Sequence, residues 1–247
     1  MKRRDALAAI TSTLLAASAR PVRSATSGVP VFMYHHVNNT IPSSALALAL
    51  TLPTASLEAQ LRYLASNKIT TLTAGELVDA LSRGQHPQRS VVLTFDDGYE
   101  DASTVVAPLL ARYGARATFF VNAGTIEHRN HLSWREMRAM HAAGNEIGAH
   151  GMYHLDLTTL SRNGQLHEAG DCVERIGRFL GVRPVSYAYA SGAYNATTIE
   201  IMREIGIHSA WTEIVARAQN VRHPYEMPRL RITREMTVDG FAALVTG

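Results

Sequence analysis

Cysteine is all but missing from this 247-residue chain. Cys172 is the only one, so no disulfide can form within it. Lysine is almost absent as well: only Lys2 and Lys68 occur, and arginine carries the positive charge. A membrane span needs about 20 apolar residues. The N-terminal run Ala6 to Ala17 is too short for one, and no membrane segment is expected in the mature chain. There is no internal repeat and no low-complexity block, and the composition points away from collagen-like or disordered classes. A strong charge is missing too. The whole chain carries +3, but five of its 24 basic residues and one of its 21 acids lie in the first 25 positions. Removing them leaves a net charge of −1. Such a surface steers weakly toward nucleic acid or anionic lipid, so neither is an expected partner.

Those first 25 residues have the order of an export signal. Lys2-Arg3-Arg4 is a basic start, Ala6 to Ala17 is apolar, and Ala17-Ser18-Ala19 is a small-residue cleavage site. Arg3-Arg4 also resembles a twin-arginine signal, although only Leu7 matches the residues that usually follow. The expectation is an export signal over 1–25, a mature domain over 26–247, and a periplasmic or extracellular location.

The remaining length suits one large core. Pattern predicts a helix to about Ser66, capped by Thr54 or Ser56, and a second from the capping box Thr73-Ala74-Gly75-Glu76 to Leu81. Ala45 to Leu52 is apolar and reads as a strand or a hydrophobic lip. After the strand Ser90-Val91-Val92-Leu93, helices near 101–113, 134–143, 162–180 and 196–205 alternate with strands at 117–121, 146–149, 185–189 and 208–211. That alternation predicts parallel strands. His86, His167 and His223 read as surface positions, and Cys172 as a buried or semi-buried helix residue. Trp211 suits a sugar subsite or the core equally.

Two segments carry chemistry. Thr94-Phe95-Asp96-Asp97-Gly98 ends the strand with adjacent carboxylates. An Asp-Asp-Gly turn is one reading. The other is a metal site, in which one carboxylate ligates and the other stays free as a base, because two like charges so close need a cation or a proton between them. Glu146-Ile147-Gly148-Ala149-His150-Gly151-Met152-Tyr153-His154 then supplies two histidines at i and i+4, which share a face on a helical turn. Two surface histidines are the plain alternative. Falling at successive strand ends, the Asp and His pairs together favour an open site for a divalent metal.

These segments resemble the polysaccharide deacetylases of carbohydrate esterase family 4. The likeness runs from about Val29 to about Val238. It implies an irregular (β/α)7-type barrel in a single domain, with Asp96 as catalytic base and Asp97, His150 and His154 as metal ligands. The loop Tyr189-Ala190-Ser191-Gly192-Ala193-Tyr194 resembles the family's Y-P-Y-G-x-Y segment, departing from it at Ala190 and Ser191. The family uses a backbone N–H of this loop as oxyanion donor, which points to Ser191. Tyr194 is a candidate for stacking on a sugar. Val29-Pro30-Val31-Phe32-Met33-Tyr34-His35-His36-Val37 resembles the subgroup with the bacterial poly-N-acetylglucosamine deacetylases, where a Tyr-His near the N-terminus supplies the acid. That implies His35 as proton donor, with His36 pointing the other way. Glu226 to Ile232 resembles the family's L-P-R-I run, in which Arg229 would pair with Asp96.

The expected function is therefore an exported, metal-dependent hydrolysis of N-acetyl groups on an amino-sugar polysaccharide. Zinc, cobalt, nickel and iron all suit one carboxylate and two imidazoles. Two other readings stay open: an O-acetyl ester deacetylase with the same machinery, and a carbohydrate-binding member of the fold without turnover.

Overall fold

The computed structural model describes residues 28–247, so the export signal expected over 1–25 lies outside the described residues. In chain order the elements are β1 (Val31–Tyr34), β2 (His36–Val37), α1 (Ala45–Ala49), β3 (Thr51–Leu52), α2 (Thr54–Ser66), β4 (Thr70–Leu72), α3 (Ala74–Ser82), β5 (Ser90–Phe95), α4 (Ala107–Arg112), β6 (Thr118–Val121), α5 (Trp134–Ala142), β7 (Glu146–Ala149), α6 (Arg162–Leu180), β8 (Ser186–Ala188), α7 (Ala196–Glu204), β9 (Ser209–Trp211), β10 (Leu230–Arg231) and α8 (Val238–Thr246). Every ladder is parallel. Around the curl the strands run β10-β1-β5-β6-β7-β8-β9, with β4 added beside the start of β5. A bridge from Trp211 to Met227 carries the ring from β9 toward β10. This is the irregular (β/α)7-type barrel that the sequence implied.

Alternation along the strands builds the two faces. Val31, Val92, Phe120, Ala188 and Trp211 fall in one buried cluster, closed by Ala74, Leu77 and Val78 of α3. Their neighbours Phe32, Tyr34, Leu93, Phe95, Phe119 and Val121 fall in the other, against the surrounding helices. Strands buried on both faces read as apolar runs, as in Val91 to Leu93. Trp211 is fully buried and belongs to the core. Cys172 is buried as well, and His86, His167 and His223 are exposed.

Several local expectations change. Neither Thr54 nor Ser56 caps α2; the helix begins at Thr54, with Pro53 at the cap position and no side-chain bond. Ala45 to Leu52 splits into the short helix α1, capped by Ser44, and the two-residue strand β3. The expected helix over 101–113 opens as a π-helical turn, Ala102–Val106, before α4. Pro108 in the first turn of α4 has no amide to donate, and π-turns are common beside functional sites. The capping boxes Thr73/Glu76 and Ser133/Glu136 form with both of their bonds.

Candidate active site

Asp96 extends the β5 ladder by one residue, its amide donating to the Tyr34 carbonyl at 3.0 Å. The chain then turns sharply. Asp97 and Gly98 take φ of 77° and 74°, a left-handed conformation that Asp tolerates better than most residues. The Asn122 side-chain amide donates to the Asp97 carbonyl at 3.3 Å and holds the turn. Both carboxylates end up buried.

The histidine pair does not lie on a helical turn. β7 ends at Ala149, and residues 150–155 form a loop. Gly151 (φ 91°) and His154 (φ 59°) are left-handed, so the loop doubles back and brings His154 beside His150 by a different route. His150 Nδ1 lies 2.7 Å from the Ala188 carbonyl and donates to it, which leaves Nε2 free as a ligand atom. The Nε2 atoms of His150 and His154 lie 3.3 and 3.5 Å from Asp97 Oδ1. One ligand atom from each of the three residues falls within 4.8 Å of the others.

Whether this set fits a metal is decided by Asp97 Oδ1. It is buried and has no hydrogen-bond partner. Buried carboxylate oxygens are normally satisfied. An orphaned one facing two imidazole nitrogens is the donor set of a divalent cation, so the residues fit. His154 forms the exposed side of the cluster.

Asp96 has a different environment. Its Oδ1 accepts from Arg229 Nη1 at 2.8 Å, and both side chains are buried. Arg229 is fixed in turn by Thr94 Oγ1 at 3.1 Å and by the Thr212 carbonyl, to which its Nε donates at 3.0 Å. Burial would raise the Asp96 carboxyl, but Arg229 and, less strongly, His150 and His35 hold it below its ordinary value. Burial likewise opposes ionisation of Asp97, and the close approach and charge of His150, with His35 and His154, pull it far below the carboxylate range. Burial disfavours a proton on His150, yet Asp97 and Asp96 outweigh it and raise its pKa. For His35 burial wins: its pKa is lowered, with Asp96 and Asp97 opposing and Arg229 and Arg231 assisting. His35 is half-buried, and its Nδ1 is enclosed without a partner.

The fold thus gathers Asp96, Asp97, His35, His150, His154 and Arg229 at one end of the barrel. Ser191 lies in the loop after β8, left-handed at φ 53° in a 3-10 turn over Ala190–Gly192. Tyr194 stacks on Tyr189 at 4.9 Å, and its hydroxyl donates to Glu226 at 3.0 Å. Sequence reasoning missed Asp101. Its Oδ2 binds His36 Nδ1 at 2.9 Å, the Val37 amide at 3.2 Å and Asn38 Nδ2 at 2.9 Å, and so fixes the chain just past His35. It missed Tyr99, whose ring stacks on His36 at 3.6 Å and whose hydroxyl pKa is raised by burial and by Asp97. The Ala188 carbonyl gives no sequence signal at all.

The family model for polysaccharide deacetylases matches residues 83–210, which hold both the Asp pair and the His pair. The chain belongs to the polysaccharide deacetylase family. Within it, the provisionally named polysaccharide deacetylase YxkH of Bacillus subtilis strain 168 is 28% identical over 218 residues, covering 88% of this chain and 76% of YxkH. The deacetylase PplD of Streptococcus pyogenes, solved in complex with acetate, has 27% identity and a TM-score of 0.83, over 88% of this chain and 98% of PplD. The poly-beta-1,6-N-acetyl-D-glucosamine N-deacetylase of Staphylococcus aureus strain MRSA252 is 23% identical over 190 residues, which is 71% of this chain and 66% of that relative.

Proposed function

We propose that this deacetylase is metal-dependent and hydrolyses N-acetyl groups of an amino-sugar polysaccharide. The observation that carries the reading is Asp97 Oδ1, buried and unpartnered between two imidazole nitrogens, with an ionised Asp96 next along the chain. Asp97, His150 and His154 hold the ion, and zinc, cobalt, nickel and iron all suit this donor set. Lewis acidity toward the acetyl carbonyl and the hydrolytic water is the chemistry such an ion supplies. Asp96 takes the water's proton as general base, and Arg229 keeps that carboxyl ionised and aimed. The backbone N–H at Ser191 is assigned as the donor to the developing oxyanion. Tyr194, held by Tyr189 and Glu226, forms a wall for the sugar. His35 passes a proton to the departing amine. Burial lowers its pKa, which makes the imidazolium more acidic and less populated. An amine cannot leave as an anion, so this step is required for an amide and matters less for an ester.

The N-acetyl polymer is favoured by the named activity of the S. aureus relative and by the near-neutral mature charge. The test is acetate release from β-1,6-linked N-acetylglucosamine oligomers, chitin oligomers, peptidoglycan and acetyl-xylan, with metals varied. Release from an N-acetyl polymer only when metal is present is expected; release from acetyl-xylan alone would overturn the amide reading. The same reading includes export: residues 1–25 are removed, and 26–247 act outside the cytoplasm. N-terminal sequencing of protein from the periplasmic fraction should find a start between Arg20 and Thr26. Among the described residues no helix is long and apolar enough to cross a membrane.

A further inference from the structure

Glu168 has no part in the reaction above, yet it is a carboxylate buried to 5% exposure on α6. It lies on that helix's buried stripe, with Gln165, Cys172, Val173 and Ile176. A carboxylate there needs partners, because burying its charge is costly. Oε1 accepts from the Tyr153 amide at 2.8 Å and from the Leu155 amide at 3.3 Å. These are the two backbone N–H groups that flank His154. The Glu168 carbonyl also accepts from the Met152 amide at 3.0 Å. One helical residue therefore grips three amides of the loop over 151–155.

That loop needs the grip. His154 sits at φ 59°, in a region that L-residues adopt at a cost, and Gly151 sits at φ 91°. A Cβ on Gly151 would approach Glu168 Oε1 to 2.6 Å, so the glycine is what lets the carboxylate reach past it to the amides. His150 has its own support in the Ala188 carbonyl, whereas the His154 ring is part-exposed and takes its position from the loop backbone.

We propose that Glu168 is a positioning residue for the metal centre: by accepting the amides on either side of His154 it holds that imidazole toward Asp97 and sets the affinity of the site. The inference rests on the metal reading under Proposed function. Partners that orient ligands in this way typically change metal affinity about 10–100-fold when lost.

The test measures Zn²⁺ and Co²⁺ dissociation constants by competition with a chromogenic chelator, on the full chain. Glu168→Leu removes the acceptor. Glu168→Asp keeps the charge but draws the oxygen back by one methylene. Glu168→Gln keeps a carbonyl oxygen at the same reach. The Leu and Asp variants should bind metal at least about tenfold more weakly, and Gln should stay within about threefold of the parent. The visible spectrum of the Co²⁺ form should change in Leu and Asp and persist in Gln. Thermal midpoints in excess chelator read the fold separately. A Leu or Asp variant that melts lower but binds metal like the parent would show a purely structural residue and overturn the inference. Should the Leu variant fail to fold, the Asp and Gln pair decides on the same criterion. Parent protein that takes up no metal would overturn the metal reading itself; a metal-binding parent with unaffected variants overturns only the role of Glu168.

Discussion

Asp96 and Asp97 are neighbours in sequence with unlike surroundings. Asp96 is matched by a buried guanidinium, while Asp97 turns its unpartnered Oδ1 toward two imidazoles. Substitutions should separate them. Asp97→Ala and His150→Ala are expected to lose stoichiometric metal, measured by elemental analysis, while circular dichroism stays that of the folded chain. Asp96→Asn is expected to keep its metal and lose nearly all turnover, because an amide cannot accept the water's proton. His35→Ala should also keep metal. On an N-acetyl substrate its kcat should fall about 10²–10⁴-fold, the usual worth of general acid catalysis. On an activated aryl acetate, whose leaving group needs no proton, the loss should shrink. The ratio of the two losses is the measurement. Equal losses, or loss of metal from the His35 variant, would remove His35 from the role of acid.

Element by element, the helices are pinned by their caps, and α5 offers a clean case. Ser133 accepts from the Glu136 amide, and Glu136 returns a bond to the Ser133 amide at 2.7 Å. Ser133→Ala should lower stability by about 1 kcal/mol, read from chemical denaturation. Burial would raise the Glu136 carboxyl, but bonds from Ser133 and Ser103 and the charge of Arg135 leave it below its ordinary value. A depressed folded pKa contributes stability that is fully present above the unfolded Glu value of about 4.3. It is lost as pH falls through the folded value. Glu136→Gln should therefore flatten the acid side of the stability profile relative to the parent, and a profile of unchanged slope would count against it.

For the whole molecule, a metal held by Asp97, His150 and His154 would tie three stretches of chain to one point: the ends of β5 and β7 and the loop gripped by α6. Binding to the folded state alone stabilises by about 2.7 kcal/mol when free metal is 100 times its Kd. In a domain of this size that is a rise in Tm of roughly 5–10 °C. Thermal scans with and without chelator should show it in the parent and not in Asp97→Ala. A parent whose Tm ignores both metal and chelator would argue that no ion couples these strands.

The sequence alone determined what depends on local pattern. Apolar runs alternating with helices specified parallel strands, and the helix expected near 162–180 is α6. It also marked Asp96, Asp97, His150 and His154, since carboxylates and imidazoles at apolar strand ends have little structural use. What it could not determine arises from contacts between distant segments. The His pair looked helical by spacing, and only the left-handed Gly151 and His154 against Glu168 made it a loop. Trp211 was equally core or subsite until the sheet closed over it. Asp101, Glu168 and the Ala188 carbonyl act through residues 13 to 65 positions away, and no periodicity reports a partner that far off. Local propensity is written residue by residue along the chain; the orientation of an imidazole is decided by whichever backbone the fold packs behind it.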